Sequence, residues 1–377
     1  MLKKCVVVCI LLFLLLATTS CWDHLEIERQ AFILGLAMDK AENGQEIEVT
    51  FQIAKPQAFT GDANADDPFW NTTQISVDMT EAYKQLTKAI NQIPTLEHCQ
   101  VILIGEELAR GGLEENFDYL FRTHEIRRLV RIGVVQGKAK DVLDMEFQTD
   151  LLPAFVLSEM MEENSKHSLE VTDFMNIGKL HTADATGNDF VLSRVVPLDN
   201  KILDMSGAGV FQDLKLIGWL SGKELTGIRF IRGDVGSGYL ALQLPEDLGK
   251  RAMLEIFETN SIMEPEIRDN RLYVHLELRI EGDIIEIIKQ NEEIAEMEFL
   301  KRLEQLYEQD IKNNIQKSFQ KMQIEFNSDP FLLKEKVKSY YPEFWKQNHE
   351  MWDEIYRSAI LETEARVLIR RIGEIRH

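Results

Sequence analysis

Cysteine is scarce in this sequence, and its placement rules out a crosslinked body. Four cysteines occur among 377 residues, and three of them lie at or before residue 21. Cys99 is the one thiol in the rest of the chain, which excludes a disulfide within that part. Stability must therefore come from a hydrophobic core, which a chain of this length with 45 % hydrophobic residues can build. The apolar residues 101–104 indicate that the Cys99 thiol is buried.

Positive charge is also in short supply. The chain has 42 lysines and arginines against 63 aspartates and glutamates, a formal net charge of −21 at pH 7. Nucleic-acid binding needs basic side chains that displace counterions from phosphates, so we expect no nucleic-acid partner. The same balance argues against docking on anionic lipid through a general basic face. The acidity indicates a well-solvated surface, with an acidic patch for a specific partner as the alternative.

The motifs of common catalytic and metal sites are missing too. The sequence contains no H-E-x-x-H, C-x-x-C, G-x-S-x-G or G-x-x-x-x-G-K-[ST]. Its eight histidines are scattered along the chain. The glycines of residues 232–238 follow a predicted helix instead of opening one, which favours a surface turn over a phosphate site. We predict no catalytic residue, no metal ligand and no cofactor, and hence a protein that is not an enzyme.

Charge is absent from residues 5–20 altogether. Two lysines precede this run, and small residues end it at Cys21. This order is typical of a secretory signal peptide, and the run is shorter than the ~20 apolar residues of a membrane-spanning helix. Small residues before a cysteine resemble a bacterial lipobox, although Thr18 stands where leucine is usual. We predict a lipoprotein signal peptide at residues 1–20 and lipidation of Cys21, with ordinary secretion or a retained helix as alternatives.

Lipidation of Cys21 would hold the protein on a membrane without spanning it. Each buried methylene contributes about 0.8 kcal/mol, and two acyl chains anchor stably where one binds reversibly. Loss of the leader removes two lysines and lowers the formal charge from −21 to −23. The chain after Cys21 is therefore expected to be an extracytoplasmic body that is tethered through lipid.

Residues 21–200 alternate between strand and helix patterns. Residues 45–54 show the period of two that is typical of a half-buried strand, and Asn43-Gly44 before them indicates a hairpin turn. Residues 98–104 form a continuous apolar run, which indicates a strand buried on both faces. Further strands are predicted at 31–39, 72–79, 129–135 and 191–196, and helices at 80–92, 106–110, 113–122 and within 151–180. This alternation predicts an N-terminal mixed α/β domain, with two subdomains as a variant.

Residues 201–377 form the second predicted domain. Strands are expected at 202–211, 214–220, 239–244, 252–258 and 271–285, shorter helices at 223–230 and 331–340, and a closing strand at 364–375. The predicted fold class is therefore α+β or mixed α/β, a multi-domain ectodomain with mixed sheets flanked by helices.

One long helix is predicted at residues 297–326. Apolar residues recur there every three or four positions, as an amphipathic helix requires. The stripe consists of Leu300, Leu303, Tyr307, Ile311, Ile315, Phe319, Met322 and Phe326. We expect Ile311 and Ile315 to be buried under the C-terminal sheet, and Glu304 and Glu308 to lie on a solvated face. The alternative is an exposed stripe that grips a partner.

The one local concentration of positive charge consists of Arg122, Arg127, Arg128 and Arg131. Two interpretations are open. The arginines could receive a carboxylate from a partner. They could equally form an exposed helix end that balances nearby acidic residues, and this second interpretation is favoured.

Four sequence blocks together resemble a known family. The first is CWD (21–23) followed by LGLAMD (34–39), and the second is IGEELARGGL (104–113). The third is GAGVF (207–211) leading to KLIGWL (215–220), and the fourth is YPEFW (341–345) with Trp352. In this order and behind a lipobox, they resemble the Ger(x)C lipoproteins, the C subunits of bacterial spore germinant receptors.

The resemblance implies a mixed α/β, multi-domain ectodomain on the outer face of the spore inner membrane. It implies partnership with receptor A and B subunits and a part in sensing nutrient germinants. It carries no enzymatic activity and no cofactor, and the residue-level site that it transfers is the lipidated Cys21. Whether this subunit contacts a germinant stays open.

Two other classes of function are alternatives. A substrate-binding lipoprotein of an importer would need two lobes joined by crossing strands around a cleft, and the long helix with its aromatic tail does not suggest that plan. A lipid-anchored envelope enzyme would need the catalytic constellation that the sequence lacks.

Overall fold

The computed structural model describes residues 29–55, 68–147, 152–172, 175–288 and 296–372. The strands are β1 Gln30–Lys40, β2 Ile47–Ala54, β3 Phe69–Ser76, β4 Ile93–Thr95, β5 Val101–Gly105, β6 Arg131–Val135, β7 Met175–Asn176, β8 Phe190–Pro197, β9 Leu203–Asp204, β10 Ala208–Gln212, β11 Lys215–Leu220, β12 Gly238–Gln243, β13 Arg251–Arg268, β14 Arg271–Ile288 and β15 Ile360–Ile372. The α-helices are α1 Met79–Ala89, α2 Glu106–Gly111, α3 Glu114–Arg122, α4 Ala139–Leu143, α5 Pro153–His167, α6 Ile177–Thr186, α7 Gly222–Arg232, α8 Glu296–Gln320, α9 Leu333–Tyr340, α10 Pro342–Asn348 and α11 Trp352–Arg357. A π-helical turn, Lys321–Phe326, follows α8, and a 3-10 turn, His349–Met351, precedes α11.

The larger sheet has a parallel centre and antiparallel flanks. Its main order is β11-β10-β8-β6-β5-β1-β2-β3, while β4, β7 and β9 pair at its margins. Strands β1, β5, β6 and β8 run parallel, whereas the outer hairpins are antiparallel. The residues of β5 are all buried, as expected for a parallel strand that is covered on both faces.

Helices cover both faces of this sheet. One face packs against α1, α2, α3 and α6 through a hydrophobic cluster that includes Leu86, Phe117 and Leu180. The other face packs against α4 and α5 through Val142 and Leu157. Each Å² of apolar surface that is buried on either face stabilises the fold by about 25 cal/mol, and this burial is the main stabilising contribution for such layers.

The sequence predicted most of these elements. The hairpin at Asn43-Gly44 joins β1 to β2, and Asp78 caps α1 by accepting a hydrogen bond from the Glu81 amide at 2.8 Å. Strands β10 and β11 extend the larger sheet, so its pairing continues beyond residue 200. The division at residue 200 stays a prediction, although the two halves share this sheet.

The second sheet contains the longest strands and the longest helix. Its order is β12-β13-β14-β15, with β14 and β15 parallel. Ile311 and Ile315 of α8 are 1 % and 0 % exposed and belong to the same hydrophobic cluster as Leu276, Ile280 and Val367. The predicted long helix is confirmed, with its last turn π-helical, and so is the predicted fold class of mixed sheets flanked by helices.

The solvated face predicted for α8 is only partly correct. Glu308 accepts a hydrogen bond from the Val367 amide at 3.1 Å, and Glu304 accepts one from the Ile369 amide at 3.0 Å. These amides lie on the side of β15 that does not pair with β14. An exposed strand edge invites pairing with another chain, and these two glutamates occupy two of the donors on this edge.

The junction of the two halves as the candidate functional site

The predicted lipidation site, Cys21, lies outside the described residues, so the anchor stays a prediction. Among the helices that the structure describes, none is long and apolar enough to cross a membrane. Within the same residues, histidine, cysteine, aspartate and glutamate side chains do not gather in a group that could hold a metal ion. The features that stand out instead lie where the two halves of the chain meet.

Two of the sequence blocks that carry the family resemblance meet at this junction. The Trp219 indole of β11 donates a hydrogen bond to the Glu106 carboxylate of α2 at 3.2 Å. Arg110, one helical turn further along α2, pairs with the same carboxylate at 2.8 Å. A hydrogen bond between residues that are 113 positions apart in the sequence therefore fixes the edge of the sheet against α2.

The π-helical turn after α8 packs onto the same edge strand. A Cβ atom at Gly218 would lie 2.2 Å from the Phe326 ring, so any larger residue here would displace the ring. Lys321 donates to the Glu224 carboxylate at 2.8 Å and to the Trp219 carbonyl at 3.5 Å. The end of the long helix is thereby fixed to the first sheet by both packing and charge.

A buried arginine ties α7 to the residues at the end of α5. Arg229 is 1 % exposed. Its guanidinium donates to the carbonyls of Ser168, of Val171 at 2.6 Å and of Ser165 at 2.9 Å. It also donates to the Asp234 carbonyl at 2.7 Å and pairs with the Asp234 carboxylate at 3.2 Å. A buried charge needs such complete pairing, because the unpaired ion is strongly disfavoured.

A pair of acidic side chains crosses the junction at another point. The Asp189 carboxylate accepts a hydrogen bond from the Asp329 amide at 2.8 Å. The Asp329 carboxylate in turn accepts from the amides of Leu333 and Lys334 at the start of α9. Burial raises the pKa of Asp329 to about 6, although these amide bonds oppose the shift, and burial also raises the pKa of Asp189.

We expect Asp329→Asn to flatten the pH dependence of stability between pH 7 and 4. Because the pKa of Asp329 is higher in the folded state than the ordinary value of about 3.9, the folded state binds its proton first. This group therefore stabilises the fold as the pH falls through about 6, by on the order of 1–3 kcal/mol at pH 4 relative to pH 7. Urea unfolding at several pH values measures the difference. Asp353→Asn, at an exposed position, is the control. If the free energy of unfolding of wild type and of Asp329→Asn changed with pH in parallel, the raised pKa of Asp329 would be contradicted.

The aromatic block near the C-terminus forms a continuous series of ring contacts. The Trp345 and Trp352 rings meet edge to face at 5.6 Å, and Trp352 stacks on Tyr356 at 6.2 Å. Tyr356 contacts Phe319 of α8 edge to face at 6.1 Å. Its hydroxyl donates to the Ser328 carbonyl at 2.8 Å. The block thus fastens the segment after α8 to the C-terminal core.

The arginine cluster of the sequence separates into different environments. Arg122 pairs with Asp118 at 2.7 Å on the surface, as expected for a balanced helix end. Arg131 is only 17 % exposed and pairs with Glu162. Arg128 is exposed and donates to the His181 imidazole at 3.2 Å. The predicted exposed, balanced helix end therefore holds for Arg122. Arg131 instead lies in β6 and pairs with a glutamate of α5, and Arg128 has no carboxylate partner among the described residues.

Arg128 lies on an open groove that both halves of the chain line. The groove encloses about 510 Å³. Its walls come from the segment before β6, from α6 and from the turn before α9. Sequence patterns could not predict this groove, because residues from distant parts of the chain form it.

Cys99 is the free thiol of the described residues, and it is buried as predicted. It is 2 % exposed, and burial raises the pKa of the thiol to about 12. A thiol in this state is a poor nucleophile, which fits a structural side chain.

The fold and the junction define a two-part α+β protein whose halves are interlocked by buried polar side chains. Two family models match consecutive stretches of it. The model described as "Spore germination protein N-terminal domain" matches residues 23–196, and the model described as "Spore germination B3/ GerAC like, C-terminal" matches residues 206–373. The chain belongs to this family of spore germination proteins, which confirms the resemblance seen in the sequence.

Relatives of known name match along nearly the whole chain. Spore germination protein B3 of Bacillus subtilis (strain 168) is 26 % identical over 353 residues, which are 92 % of this chain and 92 % of that protein. Spore germination protein A3 of the same organism is 24 % identical and covers 98 % of this chain and 97 % of its own length. The crystal structure of the GerBC protein superimposes with a TM-score of 0.60 at 20 % identity, over 92 % of this chain and 100 % of that one. This last likeness shows the fold.

Proposed function

We propose that this chain is the lipid-anchored C subunit of a spore germinant receptor. It acts with membrane A and B subunits in the response to nutrient germinants that starts germination. The observation that carries the proposal is the end-to-end match to spore germination proteins B3 and A3, which includes both family models in order. The names of these relatives describe germination and no enzymatic activity.

The interlocked junction favours this function over that of an importer's binding lipoprotein. An importer lobe pair has to open and close around its ligand. Here Arg229 joins α7 to the segment after α5, and Phe326 packs on Gly218 across the junction. These contacts support a body that behaves as one unit and presents surfaces to partner proteins.

Localisation on the outer face of the spore inner membrane is part of the proposal. It is supported by the leader at residues 1–20 and by Cys21 behind it. Two acyl chains on this cysteine would anchor the acidic body although it has no general basic face for lipid.

We expect Cys21→Ala to abolish lipidation and to slow germination. The chain would lose its acyl chains and with them the stable attachment to the membrane. Metabolic labelling with a fatty acid, membrane fractionation and germination assays measure the three consequences. Cys9→Ala, a change in the same leader, is the matched control and should behave as wild type. Fatty-acid labelling of the Cys21→Ala chain would refute the anchor.

A further inference from the structure

Most of the charged residues that line the groove at the junction are positive, whereas the protein as a whole is acidic. Arg128, Lys179 and Arg232 line it, whereas Asp189 is its acidic lining residue. The Asp189 carboxylate already accepts a hydrogen bond from the Asp329 amide. A chain with a net charge of −21 repels acidic partners in general, so a cationic groove is where one could bind.

Arg128 is the cation best placed to meet a partner. Its hydrogen bond is to the His181 imidazole, and among the described residues no carboxylate lies within ion-pair distance of it. Arg232 differs, because it pairs with Asp234 at 3.0 Å. A guanidinium without a carboxylate can form a bidentate pair with an incoming one.

Two leucines expose their side chains at the same groove. Leu129 is 73 % exposed and Leu332 is 46 % exposed, and both line the groove. Leu332 also has a φ of 61°, in the left-handed region that leucine rarely adopts. Strained residues of this kind tend to occur at binding sites, where the side chain has a use that offsets the cost.

We propose that this groove docks an acidic amphipathic segment of another receptor subunit. Carboxylates of the segment pair with Arg128, and its apolar side chains cover Leu129 and Leu332. That the partner is another receptor subunit rests on the proposed function, whereas the acidic and apolar character of the segment rests on the residues of the groove. Burial of exposed leucines around a charged anchor is the usual anatomy of a protein interface.

Photo-crosslinking in spores identifies the occupant. A photoreactive amino acid replaces Leu129, Leu332 or, as the control, Leu198, which is 64 % exposed on the turn between β8 and β9. We expect crosslinks from positions 129 and 332 to a segment of another subunit that is rich in Asp, Glu and apolar residues. Crosslinks to a second copy of this chain, to lipid or to a basic segment would overturn the proposal, as would equal yields at position 198 or no protein crosslink at all.

Variants of the groove residues test how much the groove contributes to binding of the other subunits. Arg128→Glu combined with Leu129→Glu should reduce co-purification of the other subunits by about tenfold or more, as loss of a hot spot does. The Tm of the chain should not change, because both side chains are exposed. Arg128→Lys should retain part of the binding, and Leu198→Glu should retain all of it. Unchanged co-purification of the double variant would overturn the docking site.

Deletion of the whole chain separates this inference from the proposed function. If spores without the chain germinate normally, the proposed function is wrong. If those spores are defective but spores with the Arg128→Glu and Leu129→Glu chain germinate as wild type, the docking site alone is wrong. If both are defective and the variant chain is present at its normal level, both stand.

Discussion

Arg229→Ala is expected to lower the free energy of unfolding by about 3–5 kcal/mol. The substitution leaves the main-chain carbonyls of Ser165 and Val171, which are buried, and of Ser168, which is half-buried, without this donor. It also breaks the ion pair with Asp234. Each buried acceptor that loses its partner costs about 1–3 kcal/mol, although neighbouring losses do not add in full. Urea unfolding of the purified protein measures the change.

Arg232→Ala is the matched control for this prediction. Arg232 belongs to the same helix, α7, and pairs with the same Asp234 at 3.0 Å. Its side chain is 29 % exposed, so the pair is partly screened by water and is worth about 0.2–1 kcal/mol. If the two variants lost equal free energy of unfolding, the buried contacts of Arg229 would stabilise the fold no more than a surface ion pair does.

Ile311→Ala should lower the free energy of unfolding by about 2–5 kcal/mol. The side chain is 1 % exposed in the middle of α8 and belongs to the core of the C-terminal sheet. Removing its apolar atoms loses their transfer free energy and leaves a cavity that the packed surroundings fill only in part. Thermal melts of the purified protein give the comparison directly.

Asn313→Ala provides the reference on the same helix. Asn313 lies two residues after Ile311, its side chain is exposed, and it accepts a hydrogen bond from Gln309 on the surface. Its replacement should change stability by roughly 0.5 kcal/mol or less. Equal melting temperatures for the two variants would refute the buried helix and revive the hypothesis of an exposed stripe that grips a partner.

Local pattern was sufficient to predict most elements of the fold. The apolar run at residues 98–104 contains the buried strand β5, and the apolar stripe predicted the long helix. The sequence underestimated β13, which extends to Arg268, well beyond the predicted end at residue 258. Its later residues are largely polar and exposed, so they lack the apolar signal of a strand. Pairing with β14 over its full length is what extends it.

The polar contacts of the junction could not be predicted in the same way. Arg229 is a basic residue near a helix end, where solvent exposure is the usual expectation, yet the fold buries it against carbonyls 58 to 64 residues away. Glu304 likewise has the pattern of a solvated helix face but bonds to a strand 65 residues later. Periodicity reports which side of an element is apolar, and it carries no information on which distant backbone group that element meets.

The sequence by itself determined the family and the periodic elements, because both are encoded in neighbouring residues, and it predicts a leader with Cys21 as the anchor. Only the tertiary structure decided how the halves interlock through Arg229, Gly218 and Asp329, and where Arg128 meets the exposed leucines of the groove. The physical reason is range. Propensity and amphipathicity act over one or two turns of chain, whereas satisfying a buried charge or forming a groove requires groups that chain folding alone brings together.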